Sequence, residues 1–263
     1  MELRGKRVLI TGASRGIGAA LAREFATAGV SVALVARSAD AINKLAADLG
    51  GTAHPADLGD VAQVRTLVQH VEDEAGPVDV LVNNAGVDYT GPFTDMKADE
   101  LDGLLRLNLA TPIELCRQAI PRMLRRGGGH IVNVSSLSGV GVYPGLVAYS
   151  SSKAGLSHFT AGLRADLRGL PVGTTLVELG PIPTEMIGSV RGYAPTHKSF
   201  SRFERLQLIR DTSPETVATA VVDAVTKGRR HVRFPKRAIL FPMVAEAPRR
   251  LVELLLTGVK HQP

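Results

Sequence analysis

Tyr149 and Lys153 stand four residues apart in Tyr149-Ser150-Ser151-Ser152-Lys153, a spacing that puts two side chains on one face of a helix. A free phenol has a pKa of about 10 and is seldom ionised near neutrality. An ammonium ~4 Å away is worth up to ~4 kcal/mol at an effective dielectric near 20. At about 1.4 kcal/mol per pKa unit, Lys153 is expected to lower Tyr149 by ~2–3 units, toward the range useful for moving a proton. Upstream lies Ser136, in Val134-Ser135-Ser136-Leu137-Ser138, where a hydroxyl can hydrogen-bond a substrate oxygen and stabilise charge developing on it. Ser135 is a rival, but alternation along a strand turns it the other way. Ser138 is a weaker one.

A second chemical feature is Thr11-Gly12-Ala13-Ser14-Arg15-Gly16-Ile17-Gly18. Gly12 permits a tight exit from a strand, Gly16 lets backbone N–H groups approach a pyrophosphate, and Gly18 lets the following helix pack close to a sheet. The helix N-terminus then turns its partial positive charge toward the phosphates. The spacing is G-x-x-x-G-x-G, not the G-x-G-x-x-G of the dinucleotide fingerprint. The next strand ends Val35-Ala36-Arg37-Ser38, with no carboxylate to accept from a ribose 2′-hydroxyl. Arg37 offers a planar guanidinium suited to a 2′-phosphate, and Arg15 can approach it from the other side. These residues predict NADP(H). The competing reading is two solvated surface arginines.

The elements that must hold these groups follow from hydrophobic periodicity. Apolar strand-length runs at 7–11, 31–36, 52–54, 78–83, 130–135, 173–178 and 231–234 alternate with helical segments at about 16–28, 39–49, 60–74, 97–126, 148–169 and 214–227. Such alternation predicts an α/β fold, a doubly wound parallel sheet of about seven strands with helices on both faces. Ligands of such a Rossmann-like sheet lie beyond the C-terminal ends of its strands. Nothing reads as a linker or a repeat, so residues 1–263 are expected to form one domain. Residues 185–213 read as a long connection, a substrate lid, and residues 236–263 as a basic and apolar tail.

The glycine loop and the Tyr149/Lys153 pair in this order resemble the short-chain dehydrogenase/reductase family, over about residues 5–185. Asn83-Asn84-Ala85-Gly86 looks like the family's structural motif beside the cofactor, Asp57-Leu58 like its adenine-contacting pair, and Asn108 like the helix asparagine of its proton relay. The resemblance implies that Tyr149 gives or takes the proton on the substrate oxygen and that Lys153 lowers its pKa and binds the nicotinamide ribose. It further implies that Ser136, favoured by its spacing to the tyrosine, orients the substrate, and that Asn108 holds a water. It places Gly180, Ile182 and Thr184 against the nicotinamide, although Leu179-Gly180-Pro181-Ile182-Pro183-Thr184 has Leu179 where the family has proline. It also implies a homo-oligomer, dimer or tetramer, built through the helices at 97–126 and 148–169.

Composition bounds the rest. The 263 residues carry one cysteine, a net charge of +6 and only 4% aromatics with no tryptophan. One cysteine allows no internal disulfide and fits a reducing cytoplasm, and Cys116, in an apolar stretch, reads as buried and inert. Scarce aromatics and the absence of a nucleic-acid signature argue against a nucleic-acid partner. A strand-like run at Lys6–Ile10 leads us to expect no signal peptide, and no apolar run reaches the ~18 residues of a membrane span. The seven histidines show no H-x-x-x-H spacing, so no metal is expected. There is no Walker-type G-K-[ST] and no nucleophile elbow. Val87, Tyr89, Leu137, Tyr143 and Met186 are expected to face substrate, a mixture suited to a lipophilic carbonyl or alcohol. Basic residues in the lid (Arg191, Lys198, Arg202, Arg205, Arg210) leave open a 3-oxoacyl chain on a carrier, or are a solvated face. The tail around Arg249-Arg250 reads as packing on the domain, as a subunit interface, or as peripheral contact with an anionic membrane. The alternative from another class is a non-catalytic NADP-sensing protein, which has no need of Ser136, Tyr149 and Lys153 together.

Overall fold

Along β1 (Arg7–Thr11) successive side chains enter two different buried layers: Val8 and Ile10 join one, Leu9 the other. β2 (Ser31–Ala36) divides in the same way, with Leu34 on the first side and Val35 on the second. A strand buried on both faces has no polar side to show, which is why these segments read as unbroken apolar runs. In a computed structural model, which describes residues 1–141, 143–183, 192–205, 211–236, 243–244 and 247–248, β3 (Thr52–Pro55), β4 (Val80–Asn83), β5 (Gly129–Ser136), β6 (Val172–Leu179) and β7 (His231–Phe234) complete a seven-stranded sheet. Its order is β3-β2-β1-β4-β5-β6-β7, and every pairing is parallel. The sheet reverses direction of winding between β1 and β4, and a ligand crevice belongs at that point.

Helices cover both faces. On one lie α1 (Gly16–Thr27), α2 (Ala39–Leu49) and α8 (Pro214–Lys227), which bury Phe25, Ile42 and Val221. On the other lie α3 (Val61–Ala75), α5 (Thr111–Arg125) and α6 (Val147–Asp166), which contribute Val68, Leu115 and the partly buried Phe159. Local chemistry sets several boundaries. Asp60 accepts a hydrogen bond from the Ala62 N–H at the start of α3, and Ser213 accepts from the Thr216 N–H ahead of Pro214, both N-caps satisfying otherwise orphaned donors. Gly50 ends α2 at φ 63°, a left-handed turn that glycine adopts without strain.

Two readings change. The single helix expected over 97–126 is interrupted: α4 (Ala98–Leu105) passes through a π-turn at Arg106–Ala110 into α5. Pro112 has no N–H to give the Asn108 carbonyl four residues back, and the Thr111 N–H reaches back five residues to the Arg106 carbonyl. The long connection expected over 185–213 carries a helix, α7 (Ala194–Arg205). Thr184, Met186, Arg191, Arg210 and residues 249–263 of the tail, with Arg249-Arg250, lie outside the described residues. Among the described residues, no helix is long and apolar enough to cross a membrane.

Candidate active site

The glycine loop is shaped by what lies behind it. Thr11, buried at the end of β1, gives its hydroxyl proton to the Val82 carbonyl and accepts from the N–H groups of Asn84 and Ala85. Asn84 answers with its side-chain amide, donating to the carbonyls of Thr11 (3.0 Å) and Gly12 (3.2 Å). The Asn84-Ala85 segment therefore presses directly on the loop. A Cβ on Gly12, whose φ is 66°, would meet Ala85 Cα at 2.8 Å, and one on Gly18 would meet the Gly12 carbonyl oxygen at 2.2 Å. Neither position has room for a side chain. Gly86 is open by comparison, but a Cβ there would lie 3.1 Å from Asn108 Oδ1 and 3.4 Å from Lys153 Nζ.

β5 and α6 carry the acid–base groups. Ser136, at the end of β5, donates to the Leu179 carbonyl (3.2 Å) and accepts from the Ser138 N–H (3.1 Å), which fixes its hydroxyl. Ser135 is tied to α6 through the Lys153 carbonyl and Ser157. Lys153 is buried and donates to the Val134 carbonyl at 3.0 Å, with Nζ 5.8 Å from the centre of the Tyr149 ring. An ammonium has three donors, so two remain for partners beyond Val134. Asn108, fully buried in the π-turn, spends its side chain on the protein. Its Oδ1 accepts from the Val87 N–H, and its Nδ2 donates to the Val87 carbonyl and to Ser152. Ser152 donates in turn to the Tyr149 carbonyl, linking the π-turn to the first turn of α6.

The electrostatics differ from the expectation built on spacing alone. Burial pushes the Tyr149 phenol up to about 12; the Ser136 hydroxyl beside it works the other way, and the Asp88 carboxylate adds to the rise. Burial pulls Lys153 down to about 8. Both shifts have one cause, since a low-dielectric site disfavours either charged form. At neutral pH the phenol keeps its proton and the lysine is mostly charged.

A cleft of about 1390 Å³ gathers these groups. Its walls include Gly12, Ser14, Arg15, Gly16, Ile17, Arg37, Asp57, Leu58, Asn84, Ala85, Gly86, Gly180 and Ile182, then Ser136, Tyr149 and Lys153, and then Val87, Tyr89, Leu137 and Tyr143. Gly18 and Asn108 are not on its surface; both stand behind it as supports. The Gly180 N–H is spent on the Phe234 carbonyl at 2.7 Å. Asp57 takes its carboxylate to the Gly59 N–H, and the Thr111 hydroxyl holds the Leu58 carbonyl. The sequence reading missed Leu146 and Phe200, which close the far end. Tyr143 stacks on Phe200, with ring centres 5.2 Å apart and planes 17° from parallel, while Phe203 tilts against the same ring. The signal was present: Phe200 and Phe203 are three residues apart, opposite a basic row at 198, 202 and 205, the period of a helix.

A cleft that joins a glycine loop with its Arg15, Arg37 past β2 and a phenol beside an ammonium defines a nicotinamide-dependent oxidoreductase. Residues 6–193 match the family model described as short chain dehydrogenase, and the chain belongs to that family. It is 38% identical over 229 residues to a protein of Nostoc sp. named ketoacyl reductase HetN, covering 85% of this chain and 76% of that one. It is 35% identical over 232 residues to the probable oxidoreductase EphD of Mycobacterium tuberculosis, covering 84% of this chain but only 39% of EphD's length. The structure of a metagenomic short-chain oxidoreductase in complex with NADP superposes with a TM-score of 0.71 at 32% identity, covering 88% of this chain and 96% of that one. Carbonyl–alcohol oxidoreduction with a nicotinamide cofactor follows from this membership.

Proposed function

We propose that the chain is an NADP(H)-dependent reductase of a lipophilic carbonyl compound, with Tyr149 as the acid. The observation that carries this reading is the meeting of Ser136, Tyr149 and Lys153 with the glycine loop in one cleft. The glycines fit the cofactor, because a Cβ at Gly12 or Gly18 is excluded by backbone and the loop leads into the N-terminus of α1 at the cleft wall, the end of a helix suited to an anion. Bound there, NADP(H) supplies the hydride.

This chain's own residues do the rest. Ser136 keeps the Ser138 N–H as its fixed donor and turns its single proton from the Leu179 carbonyl to the substrate carbonyl oxygen as charge grows there. Tyr149, protonated at neutral pH, is in the state that delivers a proton to the same oxygen during carbonyl reduction. Lys153 uses a free donor on the nicotinamide ribose and stabilises the phenolate left behind. Asn108 braces the Val87 segment, and its carbonyl, lacking an α-helical donor because of Pro112, holds the water that returns a proton. Gly86, Ala85 and Asn84 form the floor, and Ile182, on the same cleft wall, would border the carboxamide.

Arg15 and Arg37, exposed on the cleft wall, support NADP over NAD, since the residue that follows β2 is Arg37 and not a carboxylate that would repel a 2′-phosphate. Kinetics with NADPH and NADH on a panel of lipophilic ketones and alcohols test the reading. Arg37→Asp is expected to reverse the cofactor preference, lowering kcat/KM with NADPH by about 10- to 100-fold, the worth of 1.4–3 kcal/mol of charge-assisted hydrogen bonding. An unchanged preference would overturn the NADP assignment. Turnover absent on the whole panel, with cofactor still bound, would favour a sensor.

A second reading draws on α7. Lys198, Arg202 and Arg205 are exposed along one face of the helix that supplies Phe200 to the cleft, a placement suited to an acyl chain delivered by an acidic carrier. Carrier-bound and free 3-oxoacyl substrates compared at low and high salt separate the two, because steering between surface charges is screened. We further take the active form to be a homo-oligomer assembled through α4–α5 and α6, which light scattering measures directly.

A further inference from the structure

His54, His70 and Glu74 stand outside the cleft, yet the fold draws them together. His54 lies on β3 and is buried; His70 and Glu74 are a turn apart at the C-terminal end of α3 and about half exposed. Glu74 Oε2 is 3.0 Å from His54 Nδ1, Glu74 Oε1 is 3.3 Å from His70 Nε2, and one ligand atom from each residue falls within 4.8 Å of the others. A tetrahedral ion with bonds of about 2.1 Å to imidazole nitrogen and carboxylate oxygen spaces its ligands roughly 3.4 Å apart. The three donors already stand near that size, and the rings of His54 and His70 meet edge to face at 84°.

The buried ring supplies the second observation. His54 Nε2 and the Thr52 hydroxyl are 2.9 Å apart. When the ring donates to Thr52, Nδ1 carries a lone pair. That Nδ1 is buried without a hydrogen bond, although Glu74 Oε2 lies close but out of line. In that tautomer Nδ1 and the Glu74 carboxylate are two acceptors facing each other, a repulsion that a cation between them relieves.

We propose that His54, His70 and Glu74 form a three-ligand site for a zinc-class divalent ion, with Thr52 fixing the His54 tautomer. Two imidazoles and a carboxylate suit zinc rather than magnesium, and the exposed sides of His70 and Glu74 leave a fourth position for water. A ligating histidine donates its far N–H to an oxygen acceptor that fixes its tautomer, and here the Thr52 hydroxyl takes that part. The histidine spacing did not reveal it because the ligands sit 16 and four residues apart and come from a strand and a helix. The ion ties β3 to the last turn of α3. His54 is three residues before Asp57 on the cleft wall, so it braces the dinucleotide end without touching the chemistry.

Calorimetric titration of the tag-free, chelator-stripped chain with zinc chloride, with thermal melts alongside, tests the site. One ion per chain and a rise in Tm with zinc are expected, with no response to magnesium. His70→Ala and Glu74→Gln, both at exposed positions that spare the core, are expected to weaken zinc binding by more than about tenfold, and Thr52→Val by about tenfold. The absence of saturable binding by the parent chain, or equal binding by parent and variants, would overturn the assignment.

Discussion

At the dinucleotide end of the cleft there is no room for one methyl group on Gly18; at the substrate end, Phe200 reaches its place from a helix inserted in a long connection. The first end is made of backbone. Strand ends, the glycine loop and the Asn84-Ala85 segment bond to one another through Thr11 and Asn84. The second end is made of side chains. Tyr143, Leu146 and Phe200 form a small cluster separate from the two main core layers, and Thr196 hooks α7 to the Pro144 carbonyl at 2.6 Å. The contrast teaches where change is tolerated: the chemistry rests on geometry that admits no substituent, while recognition rests on a separable group of side chains.

Tyr149 stands where the two ends meet, and its removal is expected to have the largest effect. Tyr149→Phe keeps the ring and deletes the proton donor. We expect kcat to fall by about 10²- to 10⁴-fold with NADPH affinity, measured by fluorescence titration, nearly unchanged. Equal loss of both would place Tyr149 in the architecture rather than in the reaction.

Lys153 sharpens the comparison, because here the backbone-built end bears a cost. Its pKa falls from 10.5 in the open chain to about 8 in the fold, equivalent to about 3 kcal/mol at about 1.4 kcal/mol per unit. Between those values the unfolded chain binds more protons, so stability rises with pH across the window; the cost is full below pH 8 and gone above 10.5. Lys153→Met removes the buried charge and also the bond to the Val134 carbonyl, worth about 1 kcal/mol. The variant is therefore expected to be inactive yet about 2 kcal/mol more stable at pH 7, an advantage that disappears above pH 10.5. Urea melts at pH 7 and at high pH measure it. A variant less stable at pH 7 would mean that the cation holds the site together.

Gly18→Ala probes the same end by crowding. A Cβ 2.2 Å from the Gly12 oxygen and 2.7 Å from Asn84 Nδ2 must displace the loop, and overpacking of this kind costs about 1–3 kcal/mol. Cofactor affinity is expected to drop with stability, because the displaced atoms belong to the phosphate cradle. A rise in KM for NADPH without a change in Tm would mean that the loop gives way more easily than the packing implies.

What could be read in advance follows the same division. The strands were legible because burial on both faces leaves no polar alternation, and Gly12, Ser136, Tyr149 and Lys153 because their spacing is local. The π-turn at Asn108 was not, since Leu104 and Leu107 continue a helical period through it and only the missing N–H of Pro112 marks the break. The direction of the Tyr149 shift escaped as well. Spacing puts Lys153 on the right face, but burial, a property of the whole fold, decides which charge state is favoured. His54 joins His70 and Glu74 only when β3 lies under α3, and no local pattern encodes that.

The smallest expected effect belongs to the substrate end. Phe200 stacks on Tyr143, a contact worth about 0.5–1.5 kcal/mol beyond the area it buries. Because α7 is attached through this cluster and the Thr196 hydroxyl, truncation there loosens the helix without touching the sheet. Phe200→Ala is expected to raise KM for a lipophilic ketone about tenfold, near 1.4 kcal/mol, and to leave kcat within about twofold, since Ser136 and Tyr149 keep their supports. Tm should move by no more than a few degrees. If kcat falls along with affinity, α7 is helping to place the reacting oxygen, and the two ends of the cleft are less separable than their construction implies. If only KM moves, the stacked pair is a recognition surface, and changing Phe200 alters which carbonyl compounds enter while the reaction itself stays the same.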